Sequence, residues 1–329
     1  MKPFSCAVVG ASGMVGQNFI KILEERNTPL SKLYLFASAR SAGRAVRFKG
    51  GELAIEELTH SVFDRGIDMA LFGVEAEVSR EYAPIAAKKG CVVVDNSSAW
   101  RLDPEVPLVV PEVNGEDIPL HKGIIANPNC CAAPAVVALN PLHKAYTVKR
   151  IVFSTYQSVS GAGVGGWEDL ERTVKGEAPQ HFPYPIAYNV IPHIDRFYED
   201  GYTGEEAKLI AETKKMLHAP EIKATATTVR VPVFTGHSLS VNVSFEKAFD
   251  LAEARKLLAE APGVRLQDDP ARNVYPMPIT AAGTDLVYVG RVRRDESFEN
   301  SLNLWVVADN VRKGAATNAV QIAERVMGC

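Results

Sequence analysis

A glycine-rich turn near the N-terminus, VVGASGMVG at residues 8–16, constrains the fold more than any other feature. β-Branched residues before it predict a strand over Phe4–Val9, and apolar residues at helical spacing predict a helix over Met14–Glu25. A second strand over Leu33–Ala37 completes a strand–turn–helix–strand unit. In such a unit the glycines let backbone N–H groups and the positive end of the helix face a pyrophosphate. The turn therefore predicts a dinucleotide-binding domain of the Rossmann type.

The residues after the second strand indicate which dinucleotide binds. A fold that prefers NAD usually has an acidic residue here, which bonds the ribose 2'-hydroxyl. This chain has Ser38-Ala39-Arg40-Ser41 instead, followed by Arg44. Hydroxyls and guanidinium groups suit a 2'-phosphate, so we predict NADP as the cofactor. The alternative is that Arg40 and Arg44 are solvated loop charges.

The chain changes character near residue 149. Before it, short strands at Met69–Phe72 and Val92–Asp95 continue a parallel α/β pattern. After it come longer alternating strands, at Arg150–Gln157, Thr225–Phe234 and His237–Phe245, with a hairpin turn predicted at Thr235-Gly236. A mixed or antiparallel second sheet follows from this pattern.

The C-terminal segment, Gly314–Val326, has apolar residues at helical spacing and is expected to return to the first sheet. We therefore predict an α/β protein of two domains. A Rossmann-type NADP-binding domain covers residues 1–130 and 312–329, and an α+β catalytic and dimerisation domain with a mixed sheet covers residues 131–311. We expect a homodimer or a homotetramer, with the second sheet as the contact surface.

Composition excludes several classes of protein. The formal net charge of −3 provides no general basic field for nucleic acid or an anionic membrane. Apolar runs are too short to span a bilayer, and the start of the chain leads directly into a strand, so we expect a cytoplasmic protein. The five cysteines are odd in number and lack metal-type spacing. We therefore expect reduced thiols and no metal site.

A cysteine pair marks the candidate catalytic centre. Asn127-Pro128-Asn129-Cys130-Cys131 lies between a short strand, Ile124–Ala126, and a helix predicted from about residue 131 to 142. The positive end of a helix lowers a thiol pKa, and N–H groups there stabilise an oxyanion. Without other partners, however, a cysteine is most often a small buried hydrophobe.

Other segments favour the catalytic interpretation. They are STYQSVSGAG (154–163), RVPVFTGHS (230–238), VDNSSAWR (94–101), IAYNVIPHID (186–195), ETKK (212–215) and DNVRKGAATNAVQIAE (309–324). Together with the glycine turn and the cysteine pair, they resemble bacterial aspartate-semialdehyde dehydrogenases from Val8 to Glu324. The resemblance implies NADPH-dependent reductive dephosphorylation of L-aspartyl 4-phosphate to L-aspartate 4-semialdehyde, with release of phosphate. The reaction would pass through a Cys130 thioester and serve lysine, threonine and methionine biosynthesis.

The resemblance also assigns roles to individual residues. Cys130 is the nucleophile and His237 the acid/base, while Asn129 and Gln157 align the thiol and the substrate. Arg101 and Lys215 bind phosphate, and Arg230 with Glu212 holds the α-carboxylate and α-ammonium groups of the substrate. The cofactor contacts are Gly10, Ser12, Gly13, Met14, Val15, Gly16, Ser38, Arg40, Ser41, Ser160, Gly161 and Asn318.

Two places depart from the family pattern. Glu75 and Glu77 follow the strand Met69–Phe72, where small residues are usual. Cys131-Ala132-Ala133 replaces a Ser-Thr continuation, so the helix start must be capped in another way. Two alternative functions stay open. An N-acetyl-γ-glutamyl-phosphate reductase shares the chemistry but gives Glu212 no ammonium group to bind, and a catalytically silent NADP-binding paralogue is suggested by Glu75 and Glu77.

Overall fold

The computed structural model describes residues 3–329. The chain forms two compact units. The first runs to Pro128 and includes Ala315–Cys329, and the second is Asn129–Gly314. The boundaries expected from the sequence, after residues 130 and 311, differ from these limits by a few residues. Among residues 3–329, no helix combines the length and apolar character that a membrane span requires.

The first unit contains a six-stranded sheet in which every neighbouring pair is parallel. Its strand order is β5-β2-β1-β6-β7-β8, and β3 and β4 form a separate antiparallel pair. The elements are β1 (Phe4–Val9), α1 (Met14–Glu25), β2 (Leu30–Ala37), β3 (Ala45–Phe48), β4 (Gly51–Ala54), β5 (Glu56–Glu57), β6 (Met69–Phe72), α2 (Ala76–Lys88), β7 (Val92–Asp95), α3 (Pro111–Asn114) and β8 (Ile124–Ala126).

The central strands of this sheet, β1, β6 and β7, are apolar along nearly their whole length, as expected for strands covered on both faces. All four residues of β6 are buried. The C-terminal helix, Thr317–Val326, packs Ala319, Val320 and Ile322 into the same core as α1. The return of this helix to the first sheet is therefore confirmed. Its α-helical part begins later than predicted from the sequence, because a π-helical turn, Arg312–Ala316, precedes it.

The second unit contains a mixed six-stranded sheet of order β10-β9-β11-β14-β13-β12. The end pairs β10–β9 and β12–β13 are parallel, and the three inner pairs are antiparallel. The predicted mixed sheet is confirmed. The elements are α4 (Ala132–Tyr146), β9 (Val148–Gln157), α5 (Gly163–Val174), α6 (Gly204–Met216), β10 (Lys223–Arg230), β11 (His237–Phe245), α7 (Leu251–Glu260), β12 (Val264–Leu266), α8 (Pro278–Ala281), β13 (Val287–Arg294) and β14 (Ser301–Ala308).

The hairpin predicted at Thr235-Gly236 is wrong. β10 and β11 do not pair with each other; both pair with β9, which lies between them. β10 also ends at Arg230 rather than Phe234. Pro232 has no N–H to donate to a strand ladder, so the chain leaves the sheet before it and crosses to the other side of β9. Thr235 and Gly236 belong to this crossing loop.

The sheet brings three candidate catalytic side chains to one edge. In the parallel β9–β10 ladder Gln157 pairs with Arg230, and both are the last residues of their strands. β11 runs antiparallel to β9 and therefore begins at the same edge, with His237 as its first residue. Cys130 immediately precedes Cys131, the N-cap of α4, in the same unit.

Candidate functional site

Asn129 organises the loop that carries the two cysteines. Its Oδ1 atom accepts hydrogen bonds from the backbone N–H groups of Cys131 at 2.8 Å and Ala132 at 3.3 Å. These are among the N–H groups that lack a partner within the helix. The side chain of Asn129 thus caps α4, which resolves the departure from a Ser-Thr helix start noted in the sequence.

The two cysteines differ sharply in environment. Cys130 is partly exposed and Cys131 is buried. A hydrogen bond from the Cys131 thiol holds the pKa of Cys130 well below its usual range, and His237 and Arg230 add to this lowering while burial opposes it. Burial raises the pKa of Cys131 well above normal. Cys130 is therefore the more acidic of the two thiols and the better nucleophile.

His237 faces the cysteine pair from the start of β11. A nitrogen of its ring and the two sulfurs all lie within 4.8 Å of one another. The ring is buried, and Nδ1 accepts a hydrogen bond from the backbone N–H of Ser158 at 3.0 Å. The neutral ring therefore carries its proton on Nε2, which has no hydrogen-bond partner in residues 3–329. Nε2 thus carries a proton and has no lone pair with which to bind a metal ion. Cys130, Cys131 and His237 therefore lack the donor set of a typical zinc site.

Gln157 and two carboxylates of α6 surround Asn129. Oε1 of Glu205 accepts hydrogen bonds from Nδ2 of Asn129 at 2.9 Å and Nε2 of Gln157 at 3.1 Å. Oε2 of Glu212 accepts one from the backbone N–H of Asn129 at 2.6 Å. Glu212 is fully buried. Glu205 was not among the predicted site residues. Its spacing of two helical turns from Glu212 is the sequence signal that places both on one face of α6.

Arg230 is a buried cation at the end of β10. Its Nη1 donates to the backbone carbonyl of Ser158 at 2.7 Å, and its guanidinium lies 6.0 Å from the centre of the Phe182 ring. Burial lowers its pKa, although an arginine stays charged at any physiological pH. The site therefore places a thiol of lowered pKa, an imidazole N–H and a guanidinium in the same unit.

Gly161 is packed tightly against these groups. A Cβ atom at this position would lie 2.8 Å from Nη1 of Arg230 and 3.0 Å from Nε2 of His237. We expect Gly161→Ala to lower kcat/KM about tenfold, because the side chains of Arg230 and His237 must both shift. Steady-state kinetics test this. Gly163→Ala is not a suitable control, since Gly163 has a φ of +74°. Gly51, exposed and with a nearest contact of 3.7 Å, is suitable. Equal activity of Gly161→Ala and Gly51→Ala would contradict the expectation.

The glycine turn of the first unit has the geometry that a dinucleotide requires. Gly10 has a φ of +86°, and a Cβ there would lie 2.3 Å from the carbonyl oxygen of Gly73. A Cβ on Gly16 would lie 2.1 Å from the carbonyl oxygen of Gly10. Gly13 is the N-cap of α1 and provides no side-chain cap. The first N–H groups of α1, at Met14, Val15 and Gly16, are therefore directed to the space before the helix, while Ser12 is exposed.

The segment after β2 presents Arg40 at the surface. Ser38 and Arg40 are exposed, whereas Ser41 is buried in a short 3-10 turn. The sheet also places an acidic pair that the sequence pattern did not suggest, because β5 pairs Glu56 with Phe36 and Glu57 with Ala37. Glu56 is neutralised by Arg65, at 2.6 Å.

Two other predicted cofactor contacts, Asn318 and Ser160, are buried. Asn318 is buried, and its Nδ2 donates to the carbonyl of Val109 at 2.9 Å and to Oδ1 of Asn127 at 2.8 Å. Ser160 is buried beside Asn310, whose Nδ2 donates to its hydroxyl at 3.0 Å. Both residues thus have a structural role whatever else they contact.

The remaining predicted residues are placed as follows. Arg101 is buried and donates to the backbone carbonyls of Asn127 at 2.9 Å and Asn96 at 2.8 Å. Lys215 is half-buried in the last turn of α6. Glu75 is the N-cap of α2, and Glu77 is 83% exposed and pairs with Arg80 at 3.6 Å. An exposed, paired Glu77 gives little support to the silent-paralogue alternative.

Comparisons with known proteins show the family to which this chain is similar. Residues 5–121 match a family described as semialdehyde dehydrogenase, NAD binding domain, and residues 139–313 match semialdehyde dehydrogenase, dimerisation domain. The aspartate-semialdehyde dehydrogenase of Aquifex aeolicus is 54% identical over 98% of this chain and 97% of that protein.

Solved structures give the same result. Aspartate semialdehyde dehydrogenase II from Vibrio cholerae, described as complexed with ASA, superimposes with a TM-score of 0.95 at 42% identity, covering 100% of this chain and 99% of that one. The enzyme from Candida albicans, described as with NADP, gives a TM-score of 0.80 at 26% identity and covers 99% of both chains. The Rossmann-type domain, the second domain with its mixed sheet and a nicotinamide dinucleotide cofactor are thereby confirmed. This chain belongs to the aspartate-semialdehyde dehydrogenase family of oxidoreductases.

Proposed function

We propose that the chain catalyses the NADPH-dependent reductive dephosphorylation of L-aspartyl 4-phosphate to L-aspartate 4-semialdehyde. The observation that carries the proposal is the Cys130 thiol, whose pKa is held well below its usual range beside His237 and Arg230. A low-pKa thiol at a helix start, with a proton donor and a guanidinium beside it, suits attack on an acyl phosphate. The reaction would contribute to lysine, threonine and methionine biosynthesis.

The first step is the formation of a thioester. The Cys130 thiolate attacks the acyl carbon, a carbon–sulfur bond forms, and the carbon–oxygen bond to phosphate breaks with its electron pair leaving on phosphate. Reduced nicotinamide, when bound, supplies the hydride that brings the thioester to the aldehyde level. Nε2–H of His237 donates a hydrogen bond to the oxygen that gains negative charge at each tetrahedral stage. The Cys130 thiolate is a good leaving group because its pKa is low, so the aldehyde is released and the free thiolate returns.

Substrate recognition is proposed to depend on opposite charges. Arg230 would bind the α-carboxylate through its planar fork, and the negative charge of Glu212 would favour a free α-ammonium group. An N-acylated substrate has no such charge, which disfavours the N-acetyl-γ-glutamyl-phosphate reductase alternative. Arg101 and Lys215 are proposed as the cationic contacts of the phosphate group.

We propose NADP rather than NAD as the cofactor. The close backbone approaches at Gly10 and Gly16 and the uncapped start of α1 fit a pyrophosphate, and the exposed Arg40 fits a 2'-phosphate. Ser38 is an accessible additional contact, whereas the buried Ser41 offers less. Ser160, Gly161 and Asn318 stay predictions as cofactor contacts. Glu57 lies beside the end of β2, and its negative charge opposes the binding of a 2'-phosphate and hence the preference for NADP.

Arg40 is expected to determine the preference for NADPH. Arg40→Ala should raise the Michaelis constant for NADPH about tenfold and leave that for NADH within about twofold, because only NADPH carries the 2'-phosphate. Initial rates with each cofactor measure this. Arg47→Ala is the control, since Arg47 is an exposed arginine of β3 that has no proposed cofactor contact. An equal effect of Arg40→Ala on both cofactors would refute the assignment.

The overall proposal is tested in the reverse direction. Purified protein with aspartate semialdehyde and NADP should form NADPH only when inorganic phosphate is present. The same assay with N-acetyl-glutamate semialdehyde should give a rate lower by a factor of at least about 100, as loss of a charged contact predicts. Turnover of the N-acetylated aldehyde alone would support the reductase alternative. No turnover of either aldehyde would support the silent paralogue.

We also propose that the second unit forms a homodimer, from which a homotetramer is possible by further pairing. The match to a dimerisation domain over residues 139–313 supports this. The sheet also exposes Tyr156, which is 40% accessible and whose ring centre lies 5.4 Å from that of Trp305 in a tilted arrangement. Exposed aromatic residues on a sheet face are typical of an interface. Light scattering distinguishes monomer, dimer and tetramer.

A further inference from the structure

Two thiols of opposite character lie next to each other at the start of α4. Cys130 is partly exposed, whereas Cys131 is fully buried. Peroxides oxidise thiolates faster than thiols, so they attack a cysteine that is both accessible and of lowered pKa. Cys130 meets both conditions. The product of its oxidation then depends on which groups lie within reach of its sulfur.

The sulfur of Cys131 is held within that reach. The two sulfurs and a ring nitrogen of His237 all lie within 4.8 Å of one another, and the Cys131 thiol is hydrogen-bonded to Cys130. The backbone N–H of Cys131 donates to Oδ1 of Asn129 at 2.8 Å, which holds this residue at the N-cap of α4. An acidic, accessible cysteine beside a second cysteine is the arrangement of a redox-sensitive thiol pair.

The other three cysteines differ from this pair. Cys6 and Cys91 are buried in the first unit, where burial raises the pKa of Cys91 to about 12 and also raises that of Cys6. Buried thiols of raised pKa are unreactive towards peroxides. Cys329 is partly exposed, as Cys130 is, but its neighbour in the chain is Gly328. It therefore provides a comparison with a thiol that has no adjacent cysteine.

We propose that Cys130 and Cys131 are a site of oxidative modification, at which hydrogen peroxide produces a reversible disulfide. In the first step the Cys130 thiolate attacks one oxygen of the peroxide. A sulfur–oxygen bond forms, and the oxygen–oxygen bond breaks with its electron pair leaving on hydroxide. Cys130 becomes a sulfenic acid, and the peroxide is reduced by two electrons.

Cys131 completes the reaction in a second step. Its sulfur attacks the sulfur of the Cys130 sulfenic acid, a sulfur–sulfur bond forms, and the sulfur–oxygen bond breaks. The thiol proton of Cys131 leaves with the hydroxyl group as water. The hydroxide of the first step takes a proton from the solvent. Two thiols and one hydrogen peroxide thus give one disulfide and two molecules of water.

A disulfide between adjacent residues is strained, which makes it easy to reverse. Consecutive Cα atoms are about 3.8 Å apart, whereas most disulfides join Cα atoms about 4.4–6.8 Å apart. Strain favours reduction, and an external thiol can reach the partly exposed sulfur of Cys130. Two thiols of the reductant become a disulfide, and both cysteines return to the reduced form. The pair thereby protects Cys130 from sulfinic acid, which thiols do not reduce.

Mass spectrometry of the full chain tests the proposal. Reduced protein is treated with hydrogen peroxide at neutral pH, and the peptide that contains both cysteines is analysed. We expect a loss of about 2 Da, from the two hydrogen atoms removed, which dithiothreitol reverses. Cys131→Ser retains a hydroxyl donor but has no second sulfur. Its Cys130 should gain about 32 Da as sulfinic acid and stay modified after dithiothreitol. Cys329→Ser is the control and should behave as wild type.

Activity is the second measurement. Peroxide should remove most of the phosphate-dependent oxidation of aspartate semialdehyde, and dithiothreitol should restore most of it in wild type but less than about a tenth in Cys131→Ser. The proposal is wrong if wild type and Cys131→Ser form sulfinic acid equally, if Cys130 pairs with Cys329 or with a second copy of the chain, or if Cys130 stays unmodified. The masses are measured without turnover, so they decide the proposal even if the proposed function fails.

Discussion

Replacing Cys130 with alanine should abolish turnover, with a fall in kcat of at least about four orders of magnitude. The substitution removes the thiol of lowered pKa that is the proposed nucleophile, and no other described group of the site can form an acyl intermediate of similar reactivity. Cys131 does not substitute for it, because burial raises the pKa of Cys131 well above normal. Phosphate-dependent oxidation of aspartate semialdehyde measures the loss.

Cys131→Ser is the control for this prediction. A serine hydroxyl can still donate a hydrogen bond to the Cys130 thiolate, so most of the activity should remain. Because the pKa of Cys130 is lowered, iodoacetamide should label it at and below neutral pH, where an ordinary thiol is unreactive. Peptide mapping identifies the labelled residue. Activity lost with label on Cys131 and none on Cys130 would overturn the assignment.

Arg230→Ala should lower kcat/KM about 100-fold, which corresponds to about 3 kcal/mol of transition-state binding. The substitution removes the proposed partner of the substrate carboxylate. It also removes the hydrogen bond to the carbonyl of Ser158, the residue whose N–H orients His237. Arg230→Lys should not restore activity, since an ammonium group cannot make the same bidentate contact.

Arg150→Ala provides the comparison. Arg150 is a half-buried arginine of β9 that contacts Asn242, away from the edge where Arg230 lies. Its replacement should leave kcat/KM within about threefold, as expected for a residue outside the site. A value for Arg230→Ala within about threefold of wild type would contradict the proposed carboxylate contact. Equal rates with N-acetylated and free substrates in wild type would contradict it as well.

Much of the first unit is predictable from local sequence. The limits of β1, α1, β6 and β7 match those expected from hydrophobic patterns. These elements are specified by their own residues, since strands of a covered parallel sheet are short apolar runs bounded by polar loops. The neighbours of a strand are less predictable. β10 and β11 are adjacent in sequence, yet each pairs with β9, which no local pattern reveals.

The candidate site shows the same division. Cys130 is recognisable because a motif surrounds it, and the glycine turn because its spacing is local. Glu205 and the cap on α4 cannot be recognised from the sequence, because both depend on contacts of Asn129 with residues from other elements. A carboxylate seven positions before Glu212 looks like a solvated helix residue until the fold buries it. Glu56 and Glu57, beside the end of β2, were missed for the same reason.

The pairing of Gln157 with Arg230 in the β9–β10 ladder limits how this site can be altered by changes in chain length. Side chains alternate between the two faces of a strand, so one residue inserted within β10 would turn Arg230 to the opposite face. His237 is fixed in the same way, because it is the first residue of β11 and pairs with Ala308 of β14. The loop that joins Arg230 to His237 is also held in place, since the carbonyl groups of Val233 and Phe234 accept hydrogen bonds from the N–H groups of Val159 and Ser160. Substitutions at the ends of these strands, rather than insertions or deletions, are therefore the changes that this site can accommodate for a substrate of different size.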